Sequence, residues 1–355
     1  HSNLMSKLGG YTRETRTPDS VEGWYWGAKH VWGSGSNKGL GMIAPPQTGY
    51  NSWNVIKDIT EYSELICFDA GDWELTQNYG SQFWSRLLKF WEEIGKEFVI
   101  VDPFCNYTAV CHPEMKWIPI LPNTDVAFDY GVIYVWLTEG LYDKEYVATH
   151  TVHFDKLEDY VLGREDGIPK TPEWAAERCG VPEWTIKAYA RNVAKKVTSH
   201  AHFSSGSVKT PYSHEPGRTG AYKLALQGLG KPGVQQLHLN ASSMAKANIA
   251  RSTSAPYSSI NQCRMFYPNV QSIPRTMVAE ALTEGHVKWW GSPCIVYVET
   301  SEQFQEFNYP ADPKAALAMQ QAMAQAMGME PPTEEPRISK VHMLWSEKPC
   351  NMNCW

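Results

Sequence analysis

Two aspartates occupy positions where a carboxylate could bind a ligand. Asp72 comes shortly after the predicted strand 64–68 (ELICF), and Asp102 comes directly after the apolar run 98–101 (FVIV). In an open parallel sheet, ligands bind past the carboxyl ends of the strands, where a carboxylate can accept hydrogen bonds from ribose hydroxyls or a guanine edge. Capping a helix is an equally good use for either residue. The pattern predicts a ligand-binding edge made of Gly71, Asp72, Asp102 and Pro103, with capping as the alternative.

Two further segments could approach a ligand through their backbone. Residues 123–125 (NTD) predict a helix start, where N–H groups and the helix dipole favour a phosphate; plain capping by Thr124 or Asp125 is the alternative. Residues 228–233 (GLGKPG) predict a helix end in a tight glycine turn, where Gly230 and Lys231 could approach a flat ligand. The turn is not a P-loop, because Ser or Thr does not follow its Gly-Lys. It is not a dinucleotide fingerprint, because it follows a helix.

Histidines and cysteines give no metal motif. His200 and His202 alternate along a predicted strand, as ligands can, but no third ligand stands at workable spacing. A hydrogen-bonded structural role is favoured for these residues and for His30 and His214. The eight cysteines lack the spacing of a disulfide framework, a zinc site or an iron–sulfur cluster. Reduced thiols in a cytoplasmic protein are therefore expected.

Alternating strands and helices would position these segments. The run 64–68, an amphipathic helix over 83–96 and the run 98–101 form a βαβ unit with a right-handed crossover. The same alternation predicts strands over 117–121 and 200–203. Helices are predicted over 125–138, 142–149, 184–197 and 217–227, with another that starts at Thr171-Pro172.

These elements predict an α/β fold with three parts. Residues 1–39 form a loop-rich segment, 40–235 a doubly wound, mostly parallel α/β domain, and 236–355 part of an adjacent α/β domain. In the last part we expect a helix over 277–282, a strand over 294–298, a helix from Asp312-Pro313 to 327, a linker over 330–336 and a closing strand over 338–345.

Composition excludes several classes of protein. With 355 residues, 43% of them hydrophobic, the chain can bury a core, and the net charge of −6 argues against a nucleic-acid partner. No stretch is apolar over the roughly 18 residues that a membrane span needs. The chain begins at His1 and ends at Trp355, which is compatible with a fragment of a longer protein.

Five motifs occur in a fixed order: Asp19-Ser20, Gly71-Asp72, Asp102-Pro103, residues 122–125 (PNTD) and residues 228–233 (GLGKPG). Their order resembles that of the molybdopterin oxidoreductases of the dimethyl sulfoxide reductase superfamily. The closer resemblance within that superfamily is to the transhydroxylases that act on pyrogallol and phloroglucinol. The matching residues are 19–27 (DSVEGWYWG), His30, 98–103 (FVIVDP), 141–148 (LYDKEYVA), 160–163 (YVLG), 169–171 (PKT), 173–175 (EWA), 180–182 (GVP), 230–233 (GKPG) and 273–275 (IPR).

The resemblance implies a cofactor and roles for particular residues. The cofactor would be molybdenum, or tungsten, held by two molybdopterin guanine dinucleotides. Ser20 would ligate the metal through a hard oxygen donor, and Asp19 beside it would move a proton to or from a phenolic hydroxyl. From the residues alone, capping by Ser20 and a turn at Asp19 are favoured. Further contacts to the cofactor would come from Trp26, Gly27, Lys29, His30, Ser213 and Arg218.

The sequence departs from the transhydroxylase pattern in three places. A histidine that these enzymes use upstream of the Asp-Ser pair would fall before residue 1. A tyrosine that they use after the glycine turn matches Tyr257 only loosely. Val21 stands where the pattern has Trp, which reshapes the wall of the pocket.

The expected function is hydroxyl transfer between polyhydroxylated benzenes, from pyrogallol to phloroglucinol, with a small iron–sulfur subunit as partner. A catechol dehydroxylase or a resorcinol hydroxylase of the same superfamily is an alternative that Val21 favours. A third alternative is a metal-free structural subunit of a redox complex, although the Asp19-Ser20 pair counts against it. An NAD dehydrogenase is disfavoured, because no glycine fingerprint follows the first strand.

Overall fold

A computed structural model describes residues 12–15, 27, 31, 52–75, 83–203, 210–238, 271–291, 305–326, 330–338 and 340–343. The chain divides into two compact units. One comprises Ser20–Arg251, and the other combines His1–Asp19 with Ser252–Trp355. This division differs from the predicted segments 1–39, 40–235 and 236–355. None of the helices in these described ranges is long and apolar enough to cross a bilayer.

The unit Ser20–Arg251 contains a five-stranded sheet in which every pairing is parallel. The strand order is β4-β3-β2-β5-β6, so the order reverses between β2 and β5. This is the doubly wound α/β fold that the alternation predicts. The strands of the chain are β1 (Arg13–Thr15), β2 (Leu65–Asp69), β3 (Glu97–Asp102), β4 (Lys116–Pro119), β5 (Thr198–Phe203), β6 (Gln236–His238), β7 (Ser272–Pro274), β8 (Val287–Gly291) and β9 (Gln305–Tyr309).

Helices cover both faces of this sheet. The helices of the whole chain are α1 (Ser52–Tyr62), α2 (Phe83–Glu93), α3 (Tyr107–Cys111), α4 (Asp125–Glu139), α5 (Lys144–His150), α6 (Phe154–Val161), α7 (Pro172–Cys179), α8 (Glu183–Lys195), α9 (His214–Gln227), α10 (Val278–Glu284) and α11 (Pro313–Ala326), of which α10 and α11 belong to the other unit. The start of α7 confirms the capping prediction, because Thr171 accepts a hydrogen bond from the Trp174 amide and Pro172 is the first helical residue.

Two cores follow from the alternation of side chains along the buried strands. On one face, Cys67, Val99 and Val101 pack against the apolar helix α4 and its neighbours α7, α8 and α9. On the other face, Phe68 and Ile100 pack against the large side chains of α1, α2 and the loop after β2, which include Trp73, Trp84 and Trp91. Trp73, Trp84 and Trp91 are therefore core residues.

The unit that combines His1–Asp19 with Ser252–Trp355 has a small core of its own. Strand β1 pairs in parallel with β7, and β8 pairs antiparallel with β9. Ile273, Ala281, Val287 and Tyr309 form the buried cluster.

The structure differs from the predicted elements in several places. The closing strand over 338–345 is wrong where the chain is described: residues 340–343 form no strand, and the Val341 amide donates to the Tyr309 hydroxyl instead of to a strand partner. Strand β6 continues the main sheet past the predicted boundary at residue 235. Strands β1, β8 and β9 and helices α3 and α6 were not predicted, and the predicted strand over 294–298 lies outside the described residues.

Candidate functional site

The carboxyl ends of β2 and β3 are joined through Asp102. The chain leaves β2 through Ala70 and Gly71, which both have positive φ angles of 66° and 98°. The Gly71 amide donates to Asp102 Oδ2 (3.0 Å), and the Phe104 amide donates to Asp102 Oδ1 (3.1 Å). Burial raises the pKa of the Asp102 carboxyl, although both amides favour its ionised form. Asp102 therefore shapes the edge on which it was predicted to bind a ligand.

Asp72 has a similar structural role in the next turn. Its Oδ1 accepts hydrogen bonds from the Leu75 amide (2.9 Å) and the Thr108 hydroxyl (3.1 Å). Its Oδ2 accepts from the Tyr107 amide at the start of α3 (3.2 Å). Asp72 thus makes a capping-type contact with the start of α3, whereas the amides that Asp102 binds belong to no helix. Contact of either carboxylate with a nucleotide stays a prediction.

Helix α4 begins at the same edge, after β4. Asn123 has a φ of 62°, and the Thr124 hydroxyl donates to the Leu121 carbonyl (2.6 Å). The Thr124 side chain makes no capping hydrogen bond to the helix. Plain capping by Thr124 is therefore not what the structure has, and this helix start remains a candidate phosphate contact together with Asp125.

Helix α9 starts after β5, on the other side of the point where strand order reverses. Its N-cap is Ser213, whose side chain makes no capping bond. The Arg218 guanidinium donates to both oxygens of Glu215 (2.9 and 3.2 Å) and to the Tyr222 hydroxyl (3.2 Å). The Arg218 side chain is 40% exposed, so it can still meet a ligand.

Gly27 lies directly against the start of α9. A Cβ on this buried glycine would stand 1.7 Å from the His214 carbonyl oxygen. No side chain fits there, so the backbone at Gly27 approaches the backbone at the start of α9 closely. Gly27, Ser213 and Arg218 therefore share one edge with Gly71, Asp72, Asp102, Pro103, Thr124 and Asp125.

The glycine turn 228–233 lies at the opposite edge of the sheet. The Gly233 carbonyl accepts from the hydroxyls of Ser63 (2.7 Å) and Ser199 (2.8 Å), at the starts of β2 and β5. The ammonium of Lys231 pairs with Asp143, just before α5. The structure therefore does not bring Gly230 and Lys231 together with the other predicted residues. A turn that precedes β6 lies at the amino ends of the parallel strands.

This placement predicts that Lys231→Met leaves cofactor content unchanged. The Lys231 side chain is 49% exposed, so solvent screens its ion pair with Asp143 and the pair contributes little to stability. Metal and pterin per mole of purified full-length protein should match the wild type. Lys57→Met, which removes another exposed ion pair, is the control. Loss of cofactor in Lys231→Met alone would contradict this placement.

The remaining predicted residues lie outside the described part of the chain. They are Asp19, Ser20, Trp26, Lys29, His30 and Tyr257. Among the described residues no group of three or more His, Cys, Asp or Glu side chains could hold a metal ion.

His200 takes the structural role that was favoured for it. It is buried, with Nδ1 3.3 Å from Asp69 Oδ2 and Nε2 2.8 Å from Gln227 Oε1. Its neighbours include the buried ions Asp69, Asp129 and Lys223, which were not predicted. The available signal was one charge within an apolar run, as at Asp69 in LICFD and at Asp129 in residues 126–137 of α4.

Comparison with known proteins places these features in a family. No family model matches the chain. It is 32% identical over 339 residues to the pyrogallol hydroxytransferase large subunit of Pelobacter acidigallici, a match that covers 87% of this chain and 38% of the relative. It is 35% identical over 155 residues to the trimethylamine-N-oxide reductase of Haemophilus influenzae, covering 41% of this chain and 18% of that enzyme.

Two further matches have narrower coverage. A dimethyl sulfoxide/trimethylamine N-oxide reductase of Rhodobacter capsulatus is 38% identical over 104 residues, covering 29% of this chain and 12% of that enzyme. The solved acetylene hydratase of Pelobacter acetylenicus superposes with a TM-score of 0.41 at 23% identity, covering 51% of this chain and 24% of that one.

The chain thus spans 38% of the length of the hydroxytransferase subunit and less of the two reductases. The hydroxytransferase match extends over most of the chain. The chain is therefore related to the molybdopterin oxidoreductases, among the relatives of dimethyl sulfoxide reductase.

Proposed function

We propose that this chain is part of the catalytic subunit of a molybdenum bis(molybdopterin guanine dinucleotide) enzyme that transfers hydroxyl groups between polyhydroxylated benzenes. The observation that carries the proposal is the 32% identity to a pyrogallol hydroxytransferase large subunit across 87% of the chain. That relative is named as a large subunit, which supports a smaller partner. We propose that the partner carries iron–sulfur clusters and that the complex is cytoplasmic.

The residues at the carboxyl edge fit one guanine dinucleotide of such a cofactor. A nucleotide in a doubly wound fold binds where strand order reverses, here between β2 and β5. Gly71 and Asp72 follow β2, and Ser213 and Arg218 follow β5. A guanidinium suits a phosphate, and carboxylates suit ring N–H groups and ribose hydroxyls. Gly27 lets the backbone lie against the His214 carbonyl, where the Cβ of any other residue would collide with it.

The chemistry would lie at Asp19 and Ser20. Ser20 would hold the metal through its side-chain oxygen, and when bound the molybdenum would accept and return electrons during hydroxyl transfer. Asp19 would take the proton from a phenolic hydroxyl and return it. Tyr257 is a further candidate for contact with the substrate. Pyrogallol and phloroglucinol are isomers, so transfer through a tetrahydroxybenzene co-substrate needs no net oxidant.

Val21 supports a second candidate function. Trp is the expected residue after the serine in the transhydroxylase pattern, so a smaller side chain here changes the pocket. A catechol dehydroxylase or a resorcinol hydroxylase would use the same cofactor but would exchange electrons with a partner.

The test starts from full-length protein prepared anaerobically with any copurifying subunit. We expect about one molybdenum or tungsten and two pterins per catalytic subunit by elemental analysis and pterin fluorescence. Pyrogallol with a tetrahydroxybenzene should yield phloroglucinol without added reductant. Turnover of catechol only with an electron donor would favour the second candidate. A preparation that is folded but free of both metals would overturn the proposal.

A further inference from the structure

A lysine ammonium lies inside the core of the unit Ser20–Arg251. Lys223 of α9 is 1% exposed. Its Nζ is 2.6 Å from Asp129 Oδ1 and 3.2 Å from Asp69 Oδ2. Burial alone would lower the pKa of Lys223, but the two carboxylates outweigh it and hold that pKa above its usual value. The group is therefore charged where lysine is rarely found.

The two carboxylates that contact the Lys223 ammonium also contact other side chains. Asp129 Oδ2 accepts from the Thr219 hydroxyl, one turn earlier on α9 (2.6 Å). Asp69 Oδ2 also faces His200 Nδ1 on β5 (3.3 Å). The contacts thus join β2, β5, α4 and α9 at one place. A buried ion pair adds little net stability compared with apolar residues of similar size, so stability alone is a weak account of it.

The three elements that meet at the Lys223 ammonium each adjoin a segment of the carboxyl edge. Asp69 is the last residue of β2, directly before Ala70, Gly71 and Asp72. Asp129 lies one turn into α4, after Thr124 and Asp125. Lys223 lies on α9, the helix that begins beside Gly27 and carries Arg218. Hydrogen-bonded ion contacts are directional, so they fix the positions of these elements along one another. Apolar packing fixes those positions less strictly.

We infer that Lys223 is a positioning residue that sets the three loops of the carboxyl edge relative to one another. The inference rests on the proposed function in one respect, since that edge is where the cofactor would bind. Lys223 does not itself touch the cofactor. Its effect passes through Asp69 and Asp129 to the residues that follow β2 and begin α4.

The test is the double variant Lys223→Met with Asp129→Asn. It removes one positive and one negative charge, so the core keeps its net charge, and Asp69 keeps its contact with the His200 ring. Single Lys223→Met would leave two buried carboxylates uncompensated and could simply unfold the unit. As a matched control, Lys187→Met with Glu173→Gln removes an exposed pair between α8 and α7.

Amide hydrogen exchange of the full-length protein is the measurement. In the core double variant we expect about 10-fold faster exchange at Gly71, Trp73 and Glu74, whose amides bind side chains at the carboxyl edge. Exchange at Gly233, whose amide donates to Asp58 at the amino edge, should change less than about twofold. The control variant should leave both edges unchanged.

Equal acceleration at both edges, or none at the carboxyl edge, would overturn the inference, because either marks Lys223 as an ordinary core residue. In the holoenzyme, the core double variant should also lose bound molybdenum, while the control should keep it. These outcomes are separable from the proposed function. If the wild type holds no metal, the proposed function fails, yet the edge-specific exchange still decides the role of Lys223.

Discussion

Ser20→Ala is expected to lower turnover of pyrogallol by more than ~100-fold, since removing even a supporting partner of a metal ligand commonly costs 10–100-fold. The methyl group of alanine offers no donor, so the metal would lose its only protein ligand under the proposed function. The measurement is phloroglucinol formed per molybdenum, with metal content determined on the same preparation. Expressing the rate per metal separates loss of chemistry from loss of loading.

Two controls bracket this result. Ser20→Cys keeps a donor atom but exchanges hard oxygen for soft sulfur, so we expect metal to be retained with an altered electron paramagnetic resonance spectrum. Ser36→Ala, a serine to alanine change in the same loop-rich segment, should behave like the wild type. Full turnover in Ser20→Ala would end the assignment of Ser20 as the ligand.

Gly27→Ala should destabilise the unit Ser20–Arg251 and empty it of cofactor. The added Cβ would stand 1.7 Å from the His214 carbonyl oxygen and 2.6 Å from its carbon, and both are backbone atoms that no rotamer change can move. We expect a loss of about 3 kcal/mol or more in the free energy of unfolding, at the upper end for an overpacked core. In a unit of this size that lowers Tm by about 6–12 °C.

The comparison variant is Gly167→Ala. This glycine has a φ of 75°, and no atom lies within 4 Å of the place that the alanine methyl group would take, so the change adds only the strain of a left-handed backbone. Tm by calorimetry and molybdenum per subunit should fall much further in Gly27→Ala. Similar values in both variants would show that the close approach of Gly27 to α9 has no role in the site.

The main sheet could be predicted from the sequence because its central strands are unbroken apolar runs that end at Asp or Pro. Strands β2 and β3 are buried on both faces, so the composition alone marks them. Strand β6 has three residues, Gln-Leu-His, of which only Leu237 is apolar, and it is ordered by pairing with β5. No local pattern distinguishes such a strand from a loop.

The weak signal of β6 explains why the glycine turn lies elsewhere than predicted. Glycines at 228, 230 and 233 predict a ligand contact because glycine permits close approach. Such a prediction also depends on which end of a strand the turn adjoins. Recognising β6 would have located the turn before a parallel strand, hence at the amino edge. The residues that follow strands or begin helices at the carboxyl edge could be predicted, because the rule for parallel sheets applies to them directly.

The buried ions could not be predicted as a group. Asp69, Asp129 and Lys223 are separated by up to 154 residues and lie on three different elements. Only the packing of the folded unit brings them together. The ligand residues of the proposed metal site depend on the family resemblance, since Ser and Asp in sequence are more common as caps and turns.

The separation of the two sheet edges has a practical consequence for anyone who wishes to engineer this protein. Hydrogen bonds of Gly233 to Ser63, Ser199 and Asp58 fasten the strand origins together at the amino edge, opposite the edge proposed to bind the cofactor. Stabilising substitutions are therefore best sought around Lys231 and α5, where they leave the proposed cofactor edge unchanged.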